Sequence, residues 1–464
     1  MTHATGPSPA TAAAWDALGG DPALLSRVSH LTRAGALPAR LPVRELAAAC
    51  VGVCSLAAAE LAATRAGRDV GAVQVDDGAV ATAFTSERHL LVDGRAPVSF
   101  APLSRFWRTR DGWLRTHANY PHHRARLRAA LGVGVGAGED ATVADVAALL
   151  AERSAYEVEE TVYAAGGLAV ALRTPQEWAA HPQGAQVAAR PLLTRERLDA
   201  APPRALRQPL RVLDLTRVIA GPVATRTLAL LGADVLRVDA PQLPEDPDAH
   251  ADTGFGKRST RLDLGSGADR RVFEELLSGA DVVVTGYRPG ALDRFGLAPE
   301  SLAERRPGVV VASLSAWGAY GPWGGRRGFD SLVQVATGIA AVEGDDMDGE
   351  GGPGALPAQA LDHGTGYLLA AAVLRALTEQ ATGGGSRVVR LALAQTAHWL
   401  TDGVRPEPVG DGGAPEPAVL LAETDSPLGR LRYALPPVSF DGGPTDWRRP
   451  PGCWGADAPV WPTP

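Results

Sequence analysis

The sequence predicts an α/β protein with a Rossmann-like, doubly wound parallel sheet in a large domain, together with a smaller α+β domain. Beyond about residue 205, short apolar runs rich in Val and Leu alternate with helical stretches. Such runs are typical of parallel strands that helices cover on both faces. The 464 residues, 45% of them hydrophobic, are enough for more than one buried core.

Changes of composition divide the chain into four parts. Residues 1–30 are rich in Ala, Pro and Gly and are predicted to be disordered. Residues 31–200 form the smaller domain, and a Pro- and Arg-rich stretch that reads as an exposed connector ends it. Residues 201–425 form the large domain. Residues 426–464, rich in Pro, Gly and Trp, are predicted to be an extended tail that wraps around the protein.

The smaller domain should contain a long Ala-rich helix over 41–66 and a strand in AVQVDD. FWRTRDGWLRTHA alternates around an Asp-Gly turn and predicts a hairpin. Two helices follow, and the second breaks near Ser154. The segment 36–84 also echoes 355–400: both begin with ALPA and pass through an LAAA-containing helix and a glycine turn into a strand. In that echo Glu45 is the only carboxylate in the stretch that matches Asp362.

In the large domain, the strands are predicted in RVLDL, ADVLRVDA, a short run after Lys257, DVVVTGY, GVVVASLSAWG and SRVVRLALA. Helices should lie between them, and a long Ala/Leu helix should precede the last strand. The first strand-to-helix turn reads RVIAGPVAT rather than G-x-G-x-x-G, so a nicotinamide or flavin site is disfavoured.

Charge and composition exclude several classes of protein. The net charge of −7 indicates neither a nucleic-acid partner nor an anionic membrane surface. No uninterrupted apolar run reaches transmembrane length, and the first residues lack the pattern of a signal peptide. With Cys50, Cys54 and Cys453 forming no disulfide framework, we expect a cytoplasmic protein.

No metal site is predicted. His117, His122 and His123 form the main histidine cluster, but Pro121 interrupts it, and a surface loop or helix start is the better interpretation. The acidic loop GDDMDGE lacks the spacing of an EF-hand.

Half a dozen ordered motifs between residues 207 and 400 carry a family resemblance. FGKRSTRLDL, ADVVVTGYRPGALDRFGL, GFDSLVQVATGIAAVEG and ALDHGTGYLLAAAVLRAL are among them. Together they resemble the class III CoA-transferases, also called the CaiB/BaiF family. Segments before residue 200 resemble the smaller domain of that family, which normally follows the large one. The chain therefore resembles a truncated copy fused ahead of another copy.

The resemblance implies that CoA moves from an acyl-CoA to a carboxylic acid, with these two molecules as partners and no permanently bound cofactor. It implies that Asp362 is the catalytic carboxylate and that the protein is an interlocked homodimer. We expect the N–H groups at the start of the helix to favour the ionised form of Asp362. Gly364 and Gly366 should leave backbone N–H groups available to a developing oxyanion.

The same resemblance implies the residues that bind CoA. Lys257 is the only lysine in the chain, and with Arg258 it would contact the phosphates of the nucleotide. Arg294 would lie near the adenine, Val218 in the first loop beside CoA, and Tyr287 where the family usually has Phe. Arg217 and Arg288 are weaker candidates, more typical of solvated side chains.

Two alternatives stay open. The family includes 2-methylacyl-CoA racemases, but the position of their histidine is occupied here by Phe329, which cannot move a proton. His363 follows Asp362 directly and should point elsewhere. The rearranged chain could also be a CoA-binding protein without catalytic activity.

Overall fold

The structure is a computed structural model that describes residues 6–98, 100–134, 139–206, 209–345, 351–408 and 417–462. The elements of the first part of the chain are α1 Pro9–Ala17, β1 Val28–Leu31, α2 Val43–Ala66, β2 Val73–Asp76, α3 Asp77–Phe84, α4 Ser86–His89, β3 Leu91–Val92, β4 Phe106–Thr109, β5 Gly112–Thr116, α5 Pro121–Leu131, α6 Glu139–Ala151, α7 Ala155–Ala164, β6 Ala169–Ala171, α8 Pro175–Ala180, α9 Pro182–Ala188 and β7 Leu193–Arg197.

The second part supplies most of the main sheet. Its elements are β8 Arg211–Leu215, α10 Ala220–Leu230, β9 Asp234–Asp239, α11 Pro247–Thr253, β10 Arg258–Arg261, α12 Gly267–Gly279, β11 Val282–Thr285, α13 Pro299–Arg305, β12 Val310–Ser315, α14 Asp330–Ala336, α15 Ile339–Val342, α16 Ala360–Gly383, β13 Arg387–Ala392, α17 Leu393–His398, β14 Leu421–Ser426 and β15 Gly429–Ala434.

Seven strands form the main sheet in the order β10-β9-β8-β11-β12-β13-β7. The first six are parallel, and β7 joins the β13 edge in the antiparallel direction. This confirms the prediction of an α/β protein with a mainly parallel sheet. It also shows why the strands are continuously apolar: Val282 and Val284 enter one hydrophobic core, and Val283 between them enters another on the opposite face.

Helix α16 lies at the centre of the larger core and packs against α2 and α10. Both α2 and α16 have 24 residues. Helix α2 is long and apolar enough to cross a membrane by length and composition, but 89% of its most apolar window is buried inside the protein. That burial is typical of a core helix, and Cys50 and Cys54 lie within it as buried, free thiols.

Three predicted segments differ from the structure. Residues 6–30 are not disordered: the Ser8 side chain accepts a hydrogen bond from the Thr11 N–H and caps α1, and Trp15 is buried. The exposed connector before residue 200 contains β7, which completes the main sheet. The predicted extended tail starts later than residue 426, because β14 and β15 form a hairpin up to Ala434.

The chain after Ala434 follows the outer side of β9, β10 and α12. Three tryptophan indoles fix it by donating hydrogen bonds: Trp447 to the Arg226 carbonyl, Trp454 to Asp239 Oδ2 and Trp461 to the Leu276 carbonyl. The wrapping character that the composition predicted is therefore present, and it is held by specific polar contacts as well as by ring packing.

Candidate functional site

The main sheet provides a crevice where its strand order changes direction. From β8 the chain moves outward to β9 and β10, then returns to β11 on the other side of β8 and moves outward to β12 and β13. The loops after β8 and β11 therefore leave the sheet in opposite directions at its carboxyl edge. In open α/β sheets ligands bind at this point.

Val218 lies in the loop after β8 with a φ of 70°. A β-branched residue rarely adopts this left-handed conformation, because its side chain crowds the backbone. The Val218 N–H faces Glu245 Oε2 at 3.4 Å. Strained backbone of this kind concentrates where a loop serves a ligand.

Asp362 is the third residue of α16, and only 6% of it is exposed. Its backbone N–H donates to Asp330 Oδ2 at 2.9 Å, so the Asp330 carboxylate occupies a free donor at the start of the helix. Asp330 is itself buried at the first position of α14. The Asp330 carboxylate therefore lies beside the start of α16, and both aspartates are buried.

Burial decides the protonation of this pair. It raises the pKa of Asp330 to about 6, although the hydrogen bonds from Asp362 and Gln334 act in the opposite direction. Burial, and then the neighbouring Asp330 charge, raise the pKa of Asp362 well above its ordinary value. The expectation that the helix start keeps Asp362 ionised is therefore not met, because desolvation outweighs the helix dipole here.

The structure also corrects the role expected for two glycines. Helix α16 begins at Ala360, so the N–H groups of Gly364 and Gly366 fall within its hydrogen-bond ladder rather than at its open end. A Cβ atom at Gly366 would lie 2.6 Å from the Ala220 carbonyl oxygen and 2.9 Å from Val223 Cβ. Gly366 therefore lets α16 approach α10 closely, and neither glycine offers an oxyanion donor.

The segment before residue 200 contributes directly to this site. His117 stacks on Phe329 with the ring centroids 3.7 Å apart and the planes nearly parallel. Burial, together with the neighbouring His123 and Arg115, lowers the pKa of His117 to about 3. Arg115 also acts on Asp330 by its charge. The histidine cluster was interpreted as a surface loop or a helix start, and α5 does begin at Pro121, beside His122 and His123. The contact of His117 with Phe329 was not predicted, since nothing local indicates that β5 reaches α14.

Tyr120 links the same segment to the crevice. Its hydroxyl donates to Glu245 Oε1 at 2.8 Å, and the Arg217 guanidinium lies 5.0 Å from its ring. Arg217 also pairs with Glu245 at 3.4 Å. Arg217 is thus partnered inside the crevice rather than solvated.

Lys257 is not exposed to a phosphate site. Only 3% of the residue is exposed, and its ammonium donates to Asp214 Oδ2 at 3.1 Å and to the Pro222 carbonyl oxygen at 3.0 Å. Burial lowers its pKa to about 8, and Asp214 acts in the opposite direction. Lys257 was expected to be a mobile positive charge, but Asp214 and the Pro222 carbonyl oxygen hold its ammonium inside the fold.

Arg258 is also engaged within the fold. Its guanidinium pairs with Asp234 at 2.9 Å and donates to the Val460 carbonyl oxygen in the tail. Lys257 and Arg258 together therefore do not form the open phosphate-binding pair that the sequence predicted, because the tail covers this side of β10.

Two further CoA-binding candidates are closer to solvent. Tyr287 is half-buried in the loop after β11, and burial raises its pKa to about 12. Arg294 is exposed, with its guanidinium 4.6 Å from the Phe295 ring. The structure brings Val218 and Tyr287 to the same crevice through the loops after β8 and β11.

His363 points away from the Asp330–Asp362 pair into another environment. It is buried, it stacks on Phe84, and its Nε2 lies 4.0 Å from Glu87 Oε2. This agrees with the expectation that the residue after Asp362 faces elsewhere. Among the described residues, no group of three or more His, Cys, Asp or Glu side chains could hold a metal ion. Most of the GDDMDGE loop lies outside the described residues.

Comparison with known proteins shows which family this part of the sequence resembles. The model of CoA-transferase family III matches residues 208–430, which include β8, the crevice loops, Asp330 and Asp362. This segment, just under half of the chain, is similar to CoA-transferase family III. Arg115, His117 and Tyr120 lie outside the matched residues, so the site combines family III residues with those of the preceding segment.

Several curated proteins are similar to parts of this chain. The acetyl-coenzyme A transferase nodX of Hypoxylon pulicicidum is 34% identical over 246 residues, which are 50% of this chain and 40% of that protein. A probable fatty acyl-CoA transferase of Mycobacterium tuberculosis is 35% identical over 203 residues, 41% of this chain and 51% of that protein. The formyl-CoA:oxalate CoA-transferase of Streptomyces coelicolor is 36% identical over 191 residues, 39% of this chain and 46% of that protein. The chain thus spans about half the length of these relatives.

Two solved structures are also similar to parts of this chain. The M. tuberculosis protein has a crystal structure that is 34% identical, covers 42% of this chain and 58% of its own, and has a TM-score of 0.38. A CAIB/BAIF family protein from Brucella suis is 26% identical, covers 48% of this chain and 64% of its own, and also has a TM-score of 0.38.

Proposed function

We propose that this protein transfers CoA from an acyl-CoA to a carboxylic acid and that Asp362 carries the acyl group and then CoA in turn. One observation supports this most directly: Asp362 lies in the segment that matches CoA-transferase family III, at the start of α16, where its backbone N–H donates to the Asp330 carboxylate. A side-chain carboxylate can act as the nucleophile in covalent catalysis when it is ionised.

The proposed reaction uses the carboxylate of Asp362 as nucleophile. Its oxygen bonds to the thioester carbonyl carbon as the C–S bond breaks, which gives a mixed anhydride and CoA thiolate. The thiolate then attacks the Asp362 carbonyl carbon and releases the first acid, leaving an aspartyl-CoA thioester. The acceptor carboxylate displaces the thiolate to form a new anhydride, and the thiolate attacks the acceptor acyl carbon, which restores Asp362.

The surroundings of Asp362 set two requirements for this sequence of steps. Asp362 must be ionised before attack, although burial and the neighbouring Asp330 charge raise its pKa. Since only 6% of Asp362 is exposed, the segments around it must also separate to admit a thioester. No donor in the described structure replaces Gly364 and Gly366 as the stabiliser of the oxyanion, and we assign none.

Trapping tests the proposal. The protein is incubated with a panel of acyl-CoAs, treated with hydroxylamine or borohydride, and its peptides are analysed by mass spectrometry. We expect a mass change on the peptide containing Asp362, absent in Asp362→Asn and retained in Asp425→Asn, which alters an exposed carboxylate in β14. A panel in which no acyl-CoA modifies Asp362 would favour a binding protein without catalytic activity.

A second candidate function rests on the stacking of His117 on Phe329. Phe329 removes the histidine that the resemblance to racemases would require, but His117 returns an imidazole to the same place. We therefore also test exchange of the α-proton of a 2-methylacyl-CoA in deuterium oxide. Deuterium incorporation that is lost in His117→Gln would support a racemase, and its absence in the wild-type protein would exclude one.

The fold supports three further interpretations, which we propose alongside the activity. The strand order is that of doubly wound nucleotide-binding sheets, as a Rossmann-like large domain requires.

Glu45 and Asp362 are each the third residue of a 24-residue helix that leads to a strand and a short helix, which supports a partial duplication. The homodimer implied by the resemblance is tested by light scattering of the full chain.

A further inference from the structure

A cleft of about 330 Å³ opens beside the crevice. Arg288, Arg326 and Arg327 line one side of it, and Tyr163 with the backbone of Gly166 and Gly167 lines the other. Its position relates it to the proposed reaction. Arg288 directly follows Tyr287 in the loop after β11, and Arg327 precedes Phe329 by two residues.

Positive charge predominates in this cleft. Glu160 is the only carboxylate in its lining, and Arg326 binds it at 2.7 Å. Arg126 reaches the rim, where it donates to the Gly166 carbonyl oxygen at 3.3 Å. Within the described part of the chain, Arg126, Arg288 and Arg327 have no carboxylate within ion-pair distance, so three positive charges are uncompensated.

These arginines act on one another and on neighbouring imidazoles. Burial, then the charges of Arg288 and Arg126, lower the pKa of Arg327. Burial, together with the neighbouring His122, Arg327 and Arg126, lowers the pKa of His123 to about 3. Such mutual repulsion destabilises the folded protein unless an anion can relieve it.

His123 provides a separate indication of a missing partner. Only 4% of this residue is exposed, and its Nδ1 has no hydrogen-bond partner among the described residues. Its ring centroid lies 4.1 Å from that of His122 and 5.9 Å from that of Phe329, and the charges of Arg327 and Arg126 act on it. A buried polar atom without a partner is unfavourable and is typical of a ligand or water position.

We propose that the cleft is an oxyanion subsite that binds a carboxylate or phosphate group of the substrate through Arg288 and Arg327. The planar guanidinium groups suit either anion, since each can donate two parallel hydrogen bonds. The inference rests on the proposed CoA transfer, because the anion would be either a second carboxylate of the acid or a phosphate of CoA.

Binding measurements test the subsite without turnover. We would use the full chain carrying Asp362→Asn and measure affinities by calorimetry for CoA, dephospho-CoA, succinate and butyrate. Arg327→Gln and Arg288→Gln are the test variants, and Arg271→Gln on the exposed face of α12 is the matched control. We expect each test variant to weaken the binding of one anion at least tenfold, while the control changes it less than twofold.

The choice of ligands identifies the source of the anion. A loss for succinate with little binding of butyrate would assign the subsite to a second carboxylate. A loss for CoA that is absent with dephospho-CoA would assign it to the 3′-phosphate, and an equal loss with both would assign it to the diphosphate.

Unchanged affinities for all four ligands in both variants would overturn the proposal. If an acyl-CoA modifies Asp362 in the trapping experiment but the affinities are unchanged, the subsite is refuted and the proposed CoA transfer is not. If the variants weaken binding but no acyl-CoA modifies Asp362, the subsite is supported and the proposed reaction is refuted.

Discussion

The ammonium nitrogen of Lys257 lies 3.1 Å from Asp214 Oδ2, and both side chains are almost completely buried beneath α10. Asp214 also accepts hydrogen bonds from the hydroxyl groups of Thr216 and Thr225. A compact ammonium satisfies both Asp214 and the Pro222 carbonyl, whereas a guanidinium is larger and planar. This explains why the chain, which otherwise uses arginine, has a lysine at this position.

Replacing Lys257 with Met should lower the free energy of unfolding by about 3–5 kcal/mol, because it leaves the buried Asp214 carboxylate without its counter-charge. Urea unfolding at pH 7 measures this change. The double variant Asp214→Asn/Lys257→Met should recover much of the loss, since Asn keeps hydrogen bonds to the threonines. A Lys257→Met protein of normal stability but weakened CoA binding would instead indicate that Lys257 binds the phosphates of CoA.

Gly364 and Gly366, near the start of α16, should respond in opposite ways to replacement by alanine. A Cβ at Gly364 would contact Cys50, Leu46 and Thr396 at 3.4–3.7 Å, so Gly364→Ala should raise stability by about 0.5–1 kcal/mol through its better helix propensity. Gly366→Ala should lower stability by about 1–3 kcal/mol because it meets the Ala220 carbonyl. Thermal unfolding of the pair checks this. Equal effects of both changes would contradict the packing role of Gly366.

Asp362→Asn should stabilise the protein increasingly as the pH rises from 4 to 8. The folded-state pKa of Asp362 is raised, so the wild-type protein loses stability once the unfolded carboxyl ionises above about pH 4, up to the raised pKa. We expect a difference near zero at pH 4 and about 1–3 kcal/mol at pH 8, by chemical unfolding. The exposed Asp425→Asn is the control, and a difference that does not depend on pH would refute a raised pKa.

The rate of CoA transfer should also depend on the protonation of Asp362, and it should rise where the stability of the wild-type protein falls. Asp362 attacks only when ionised, so CoA transfer should increase as the pH rises through the raised pKa. Initial rates between pH 5 and 9 with one acyl-CoA and one acceptor measure this. A rate that is constant down to pH 5 would mean that Asp362 is already ionised in the working enzyme.

Val218→Gly should raise the free energy of unfolding by about 1 kcal/mol, because glycine adopts a φ of 70° without steric strain. Affinity for CoA should fall as the loop loses its fixed shape. Val223→Gly, in the buried part of α10, is the contrasting variant and should destabilise the protein. Equal destabilisation by both changes would show that the left-handed conformation at Val218 stores no strain.

Local patterns were sufficient for the main sheet and for α16, because buried parallel strands and long Ala/Leu helices are apolar over their whole length. Helix α1 could also have been found, since Ser8 followed by Pro9 is a typical helix start. The pairing of Asp330 with Asp362, the stacking of His117 on Phe329 and the burial of Lys257 join residues from 32 to 212 positions apart. No periodicity in a single sequence reports such contacts.

The chain after Ala434 also covers the backbone of the outermost strand β10. Both backbone groups of Ser259 are occupied by this segment: its N–H donates to the Asp457 side chain, and its carbonyl oxygen accepts from the Asp457 N–H. Strand β10 pairs with only one neighbour, and an outermost strand with free backbone groups invites pairing with another molecule. The terminal segment therefore protects the β10 edge from pairing with another molecule. Proteolytic removal of the residues after Ala434 should make the protein aggregate and precipitate on storage.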